Sequence, residues 1–217
     1  MKIASIRNYP LQMSFIPPVA SDMRRATTHT ERLTVYRVEL ENGSVGWGDS
    51  HGESDVSEHV GRHAMELLHG PAPDMLRMAC YDAVGKSLDV PAHVLMGKQQ
   101  RPRIPFAYWT IDLPPDLFAQ QIRYAAGLGY TTYKFKVRPW WDVIEQAERA
   151  AEHAPPGFKI WMDFNGHLRD ARQAIPILKK LEQFECIAGI ESPIPQRDVT
   201  GYKRIRSIID LPIALHY

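Results

Sequence analysis

A chain of 217 residues is long enough for one sizeable hydrophobic core or two small ones. Its formal net charge of +1, with both signs balanced, gives no electrostatic basis for binding nucleic acid or a membrane surface. No apolar run is long enough to span a bilayer, and the first residues lack the apolar core of a signal peptide. Cys80 and Cys186 lie far apart without a metal-type spacing, so we expect reduced thiols in a cytoplasmic protein.

The chain begins with a strand and a long loop. Apolar residues recur from residue 1 to about residue 15, which predicts a first β-strand. Residues 16–30 show no regular period and are interpreted as a loop, and loops of this length are more often functional than idle. A disordered segment is the alternative for this stretch. It contains three basic side chains, Arg24, Arg25 and His29.

A β-hairpin and two helices follow. The turn Glu41-Asn42-Gly43 is a strong hairpin signal, and it separates predicted strands at Leu33–Leu40 and Ser44–Gly48. Helices are predicted near Val56–Leu68 and at Pro73–Ser87. The predicted apolar face of the second helix comprises Met75, Met78, Ala79, Ala83 and Val84.

Strands and helices alternate strictly from residue 104 onwards. The predicted strands are Ile104–Trp109, Thr131–Val137, Phe158–Asp163, Ile187–Glu191 and Pro212–Tyr217. The predicted helices between them are Pro114–Leu128, Trp141–His153, Asp170–Phe184 and Val199–Ile209. This alternation predicts a parallel sheet with right-handed crossovers, in which the carboxyl ends of the strands share one edge. In a parallel α/β barrel that edge carries the active site.

Two lysines stand two residues apart in the strand predicted at Thr131–Val137. Side chains alternate between the faces of a strand, so Lys134 and Lys136 share one face while Tyr133 and Phe135 share the other. Neighbouring ammonium groups repel each other unless an anion or a cleft receives them. A lysine that is crowded by a second cation and partly desolvated suits a general base. A solvated face of an edge strand is the alternative.

Carboxylates stand at the ends of the next two strands. Asp163 follows Lys136 by 27 residues and Glu191 follows Asp163 by 28 residues, a spacing typical of consecutive βα units. Two carboxylates at neighbouring strand ends can supply oxygen ligands to a hard cation such as Mg²⁺. Asn165, two residues beyond Asp163, is placed to support such a site. Helix capping in the βα loops is the alternative for both acids.

Three triplets, in this order and at this spacing, resemble the enolase superfamily in its mandelate racemase and muconate lactonizing branch. They are Lys134-Phe135-Lys136, Asp163-Phe164-Asn165 and Glu191-Ser192-Pro193. The resemblance covers nearly the whole chain and implies an α/β fold. It implies an α+β capping domain over residues 1–100 and a (β/α) barrel over residues 101–217 that is incomplete, with about five strands.

The resemblance also implies a chemistry, in which a lyase or racemase removes the α-proton of a small carboxylic acid through an enolate. Dehydration of an acid sugar is one form of that reaction. It implies Mg²⁺ as the cofactor, Lys136 as the base and Lys134 as its neighbour, with Asp163 and Glu191 as metal ligands. The family's third carboxylate ligand falls at the end of the fifth strand, where His216 is a softer substitute.

The remaining expectations concern the loop at residues 16–30, which in the family caps the active site, and the assembly. In the family this loop helps to choose the substrate, which implies that Arg24, Arg25 and His29 meet an anionic substrate. A complete barrel has eight strands, so we expect a fragment or a chain that a partner completes, with a homo-oligomer as the expected state. A truncated, non-catalytic relative that only binds or assembles is the alternative function.

Overall fold

The computed structural model describes residues 1–25 and 30–216, which form two compact units. The first unit consists of residues 1–16 and 30–104, and the second consists of residues 17–25 and 105–216. Within the described residues, no helix is both long and apolar enough to cross a membrane.

The helices and strands confirm the predicted α/β fold class. In chain order they are β1 (Ile3–Gln12), α1 (Ala20–Arg25), β2 (Arg32–Leu40), β3 (Val45–Ser50), α2 (Ala64–His69), α3 (Asp74–Ser87) and α4 (Ala92–Met96). They continue as β4 (Tyr108–Thr110), α5 (Pro115–Gly127), β5 (Thr132–Lys136), α6 (Val143–His153), β6 (Lys159–Asp163), α7 (Ala171–Leu181), β7 (Ile187–Glu191), α8 (Val199–Arg206) and β8 (Ile213–Ala214). An antiparallel sheet of three strands is followed by a parallel sheet of five.

The antiparallel sheet of the first unit has the order β1-β2-β3. The predicted hairpin is confirmed, and Gly43, at a φ of +84°, allows the tight turn that joins β2 to β3. Alternate residues of β2, namely Tyr36, Val38 and Leu40, are buried. One face of this sheet therefore supplies the core of the first unit.

Helix α3 approaches β3 closely at two glycines. A Cβ atom on Gly46 would lie 1.9 Å from the Ala79 carbonyl oxygen, and one on Gly48 would lie 2.0 Å from that of Met75. Only glycine therefore permits this packing. The buried apolar side chains of α3 are Leu76, Ala79, Cys80, Ala83 and Val84. The predicted apolar face is thus right only in part, because Met78 is 48% exposed.

The single helix predicted near Val56–Leu68 is wrong. A short 3₁₀ turn at Ser57–His59 is followed by a further turn at Val60–Gly61 and then by α2. The intervening chain pairs with the start of β1, because the Gly61 amide donates to the Ile3 carbonyl at 2.8 Å and the Ile3 amide donates to the Arg62 carbonyl at 2.9 Å. These bonds, with Gly61 at a φ of +84°, replace the bonds of a continuous helix.

The predicted loop over residues 16–30 also needs correction. Its residues 20–25 form α1, which belongs to the second unit and buries Asp22 and Met23. A helix of six residues shows no clear apolar period and is marginal by itself. Packing within the second unit, which the local sequence does not reveal, therefore stabilises it.

The parallel sheet of the second unit follows the order of the chain, β4-β5-β6-β7-β8, with a helix after each of its first four strands. Phe135 of β5 packs on Phe118 of α5 with ring centroids 4.2 Å apart, so helices cover one face of the sheet. The edge strands β4 and β8 have only three and two residues and are shorter than predicted. An edge strand pairs on one side only, so fewer ladder bonds define it.

Candidate active site

Strand β5 carries Lys134 and Lys136 on one face, as the alternation predicts. Tyr133 and Phe135, on the opposite face, are fully buried, whereas the two lysine side chains are 30% and 13% exposed. Because β5 pairs with β4 on one side and with β6 on the other, the alternative of an edge strand is wrong. The lysines therefore lie on an interior strand of the sheet, and their partly buried ammonium groups need partners of opposite charge.

The sheet register brings two carboxylates to these lysines. Lys136 lies opposite Asp163, and Asp163 lies opposite Glu191. Lys136 Nζ donates to Asp163 Oδ2 at 2.5 Å. Lys134 Nζ donates to Glu191 Oε2 at 2.5 Å and lies 3.7 Å from Asp163 Oδ2. The four side chains form one charge-assisted network, which explains how two ammonium groups share a face.

The buried carboxyl of Asp163 is held in its ionised form. Burial would raise its pKa, but the hydrogen bonds from Lys136 and from the Asn165 backbone amide oppose burial, and the pKa lies below its ordinary value. Asp163 is therefore an anion at neutral pH, which is the form that binds a metal cation.

Asn165 contacts the second carboxylate oxygen of Asp163, Oδ1, whereas the lysines contact Oδ2. Its backbone amide and its side-chain Nδ2 both donate to Asp163 Oδ1, each at 2.9 Å. The Asn165 Oδ1 in turn accepts from Arg138 Nη2 at 2.8 Å. Sequence reasoning misses Arg138, although its place two residues beyond Lys136 puts it on the same face of an extended strand.

His216 joins the two acids in a group that could hold a metal ion. Its Nδ1 lies 3.1 Å from Glu191 Oε1, and its backbone amide donates to Ser192 Oγ at 3.1 Å. Asp163, Glu191 and His216 each offer one ligand atom within 4.8 Å of the others. Two carboxylate oxygens fit the preference of Mg²⁺, whereas the imidazole nitrogen is softer than this ion favours.

Helix capping, the alternative for the two acids, is wrong for the described helices. The helices that follow β5, β6 and β7 are capped by other side chains, because Asp142 accepts from the Ile144 amide, Asp170 from the Gln173 amide and Asp198 from the Gly201 amide. Asp163 and Glu191 instead face the lysines.

Two of the three basic residues proposed for substrate binding lie within the described part of the chain. His29 lies outside the described residues. Arg24 and Arg25 occupy the last turn of α1. The Arg25 guanidinium lies over Trp140, 5.0 Å from the ring centroid, and 5.9 Å from that of Trp141. This cation–π contact secures α1 to the segment that follows β5.

Comparison with known proteins places this site in a family context. A family model described as "Enolase C-terminal domain-like" matches residues 117–216, which include all the residues of the lysine and carboxylate network. The N-succinyl-L-Arg/Lys racemase of Bacillus cereus is 23% identical over 99% of this chain. The D-galactonate dehydratase of Xanthomonas euvesicatoria pv. vesicatoria is 28% identical over 63% of this chain and 38% of its own length.

A solved structure supports the α/β fold described above. The 3,6-anhydro-D-galactonate cycloisomerase from Zobellia galactanivorans superposes with a TM-score of 0.76 at 22% identity, over 99% of this chain and 65% of that protein. This chain spans 66% of the length of the B. cereus racemase. With the three triplets of the site and the βα alternation around them, these matches support the resemblance of the chain to the enolase superfamily, in its mandelate racemase and muconate lactonizing branch.

Proposed function

We propose that the protein is a metal-dependent lyase or racemase that removes the α-proton of a small carboxylic acid. The observation that carries this proposal is the network of Lys134, Lys136, Asp163 and Glu191, in which a candidate base adjoins candidate metal ligands. The racemase and dehydratase relatives support the same proton-abstraction chemistry.

The proposed metal is Mg²⁺. Asp163 and Glu191 would hold it through their carboxylate oxygens, with His216 Nδ1 as a third protein ligand. A bound Mg²⁺ ion supplies electrostatic stabilisation for the second negative charge that the substrate gains when its α-proton leaves. The ionised state of Asp163 supports this assignment, since a ligand must be deprotonated to bind.

Lys136 is the proposed base. Its Nζ bonds Asp163 Oδ2 at 2.5 Å, so it must give up that partner and its own proton before it can accept one from the substrate. Lys134 is the less buried of the two lysines and is proposed to contact the substrate carboxylate. Both roles require the lysines to turn from the two acids toward the substrate.

The proposed substrates are small carboxylic acids with a hydrogen on the carbon next to the carboxylate, acid sugars among them. The names of the relatives support this class, since they include an acyl amino acid racemase and a sugar acid dehydratase. Arg24, Arg25 and His29 stay proposed contacts for an anionic group of the substrate, and Arg25 would first have to leave Trp140.

Hydrogen exchange tests the proposed function directly. The chain is incubated in deuterium oxide with a panel of N-acyl amino acids, dipeptides and acid sugars, with Mg²⁺ or with a chelator. We expect deuterium to enter the α-position of at least one acid only when Mg²⁺ is present. No exchange with any acid, together with no heat on titration with Mg²⁺, would favour the non-catalytic scaffold instead.

A further inference from the structure

Arg138 links the segment that follows β5 to the segment that follows β6. Its Nη1 donates to the carbonyl of Val137 at 2.9 Å, and its Nη2 donates to Asn165 Oδ1 at 2.8 Å. The two bonds leave from different nitrogens of one planar group, so they fix the plane of the guanidinium as well as its position. Arg138 is therefore held by the backbone of its own segment while it contacts the neighbouring segment.

This contact decides which way the Asn165 amide faces. A guanidinium only donates hydrogen bonds, so Arg138 selects the oxygen of the amide and leaves the Nδ2 group to face Asp163. The reversed amide would place its oxygen against Asp163 Oδ1 and its NH₂ group against Arg138. Both contacts would then be repulsive.

As a result of the orientation of Asn165, the two Asp163 oxygens have different hydrogen-bond partners. Oδ1 accepts from the Asn165 backbone amide and from Nδ2, each at 2.9 Å. Oδ2 accepts from Lys136 Nζ and lies 3.7 Å from Lys134 Nζ, which in turn donates to Glu191 Oε2. Asn165 thus holds one oxygen, and the other lies beside the two lysines, of which Lys134 also contacts Glu191 of the candidate metal group.

We propose that Arg138 is a positioning residue that acts through Asn165 to direct Asp163 Oδ2 at the metal site. This inference rests on the proposed function, since it needs Asp163 to be a metal ligand. Hydrogen bonds that orient metal ligands typically change metal affinity by about 10- to 100-fold when they are removed. Arg138 itself would touch neither the metal nor the substrate.

A double-mutant cycle tests this chain of contacts. The variants are Arg138→Met, which keeps the apolar stem, and Asn165→Gly, which suits the φ of +45° at that position while it removes the amide. Arg123→Met, on the exposed face of α5, is the control for the loss of one positive charge. The affinity for Mg²⁺ is measured per protomer by calorimetry, and the melting temperature is measured without metal.

We expect Arg138→Met and Asn165→Gly each to weaken Mg²⁺ binding by about tenfold. Because the arginine acts through the asparagine, the double variant should bind no more weakly than Asn165→Gly alone. Arg123→Met should bind like the wild type. If Arg138→Met does not melt cooperatively, Arg138→Lys takes its place in the cycle, with weaker Mg²⁺ binding expected because an ammonium lacks the planar fork.

Two results would overturn the role of Arg138 alone. One is wild-type Mg²⁺ affinity in the Arg138 variant while Asp163→Asn still abolishes binding. The other is a double variant whose loss equals the product of the two single losses, since Arg138 and Asn165 would then act independently. A wild-type chain that takes up no Mg²⁺ would be a different result, and it would overturn the proposed function together with this inference.

Discussion

At the scale of single residues, Lys136 is the proposed base, and Lys159 is a surface lysine that serves as its control. Lys136 Nζ contacts Asp163 inside the network, whereas Lys159 is an exposed lysine at the start of β6. We expect Lys136→Met to abolish exchange of the substrate α-hydrogen with solvent deuterium, because the proton acceptor is gone. Lys159→Met should leave the exchange rate unchanged. Exchange is followed by NMR or mass spectrometry.

A retained rate in Lys136→Met would remove this lysine from the mechanism. Substrate and Mg²⁺ should both still bind to the variant, since the proposed ligands are untouched. A loss of Mg²⁺ binding in Lys136→Met would instead mean that the lysine is needed to hold Asp163 in place.

The prediction about the metal site concerns Asp163 and Glu191. Asp163→Asn and Glu191→Gln keep the shape of each side chain and remove its charge, so both should weaken Mg²⁺ binding severely in a calorimetric titration. Asp170→Ala is the control, because this aspartate caps α7 and should cost only about 1 kcal/mol of stability. Wild-type affinity in both neutral variants would show that these acids are not ligands.

The ion pairs change what these substitutions do to the fold. If the two acids were unpaired, they would repel each other, and neutralising one of them would not destabilise the fold. Each acid is instead already paired with a lysine. Asp163→Asn would leave Lys136, which is only 13% exposed, without its anionic partner. We therefore expect a lower melting temperature in Asp163→Asn, and a partial recovery when Lys136→Met is added.

At the scale of elements, a buried acid joins the segment that follows β4 to α6. Gln146 Nε2 donates to Asp112 Oδ1 and to the Leu113 carbonyl, both at 2.7 Å, and Asp112 is fully buried. Burial, with a smaller contribution from the Asp22 charge, raises the pKa of Asp112 to about 7, against lowering by Gln146 and Arg138.

This raised pKa predicts how stability changes with pH. The unfolded carboxyl ionises near its ordinary value of 3.8, whereas the folded one keeps its proton to about pH 7. The contribution of Asp112 is therefore full below about pH 4 and is lost as pH rises to about 7, by at most about 4 kcal/mol. Asp112→Asn keeps the shape without titrating, so its free energy of unfolding should not show this fall.

Urea denaturation of both proteins between about pH 4 and pH 7.5 measures the difference. Asp116→Asn, whose side chain is 81% exposed on α5, is the matched control and should follow the wild type. Parallel curves for the wild type and Asp112→Asn would show that Asp112 is ionised in the folded protein throughout this range.

Sequence reasoning works best where local pattern and tertiary structure agree. Strand β7 has the predicted bounds, and β5 and β6 are each within two residues of theirs, because apolar runs, turn residues and the chain spacing all favour the same strands. The network itself follows from alternation on β5 and from a register in which Lys136, Asp163 and Glu191 lie at one level. Parallel pairing then leaves little freedom in their placement.

The misplaced elements have one cause in common. The chain between the Ser57–His59 turn and α2 is not helical because it bonds Ile3 of β1, and α1 is a helix because it packs within the second unit. Both depend on partners far away in sequence, which no local period reveals. The same holds for Arg138, whose contact with Asn165 is formed only when β5 and β6 pair.

At the scale of the whole molecule, the parallel sheet has two open edges among the described residues, β4 and β8. Apolar side chains near them are well exposed, with Phe106 at 80% and Leu215 at 55%. Open strands offer backbone groups to any neighbouring chain, so we expect these 217 residues to self-associate. Analytical ultracentrifugation over a range of concentrations measures the mass.

Phe106→Glu should weaken this association, because a charge at the open edge opposes pairing. Leu128→Glu is the control, since Leu128 is also exposed, at 57%, but follows α5. A monodisperse wild-type monomer that melts cooperatively would contradict the prediction. It would mean that the two edges are protected without a second chain.

The agreement between strand order and chain order has a consequence for biosynthesis. Each parallel strand pairs with the strand made just before it, so no pairing has to wait for a distant part of the chain. Ribosomes add about 5–20 residues per second, so successive strands emerge on the order of seconds apart. The lysines of β5 are made first, Asp163 on β6 follows and Glu191 on β7 comes last. During translation each ammonium group is therefore without its carboxylate partner until the later strand has been synthesised.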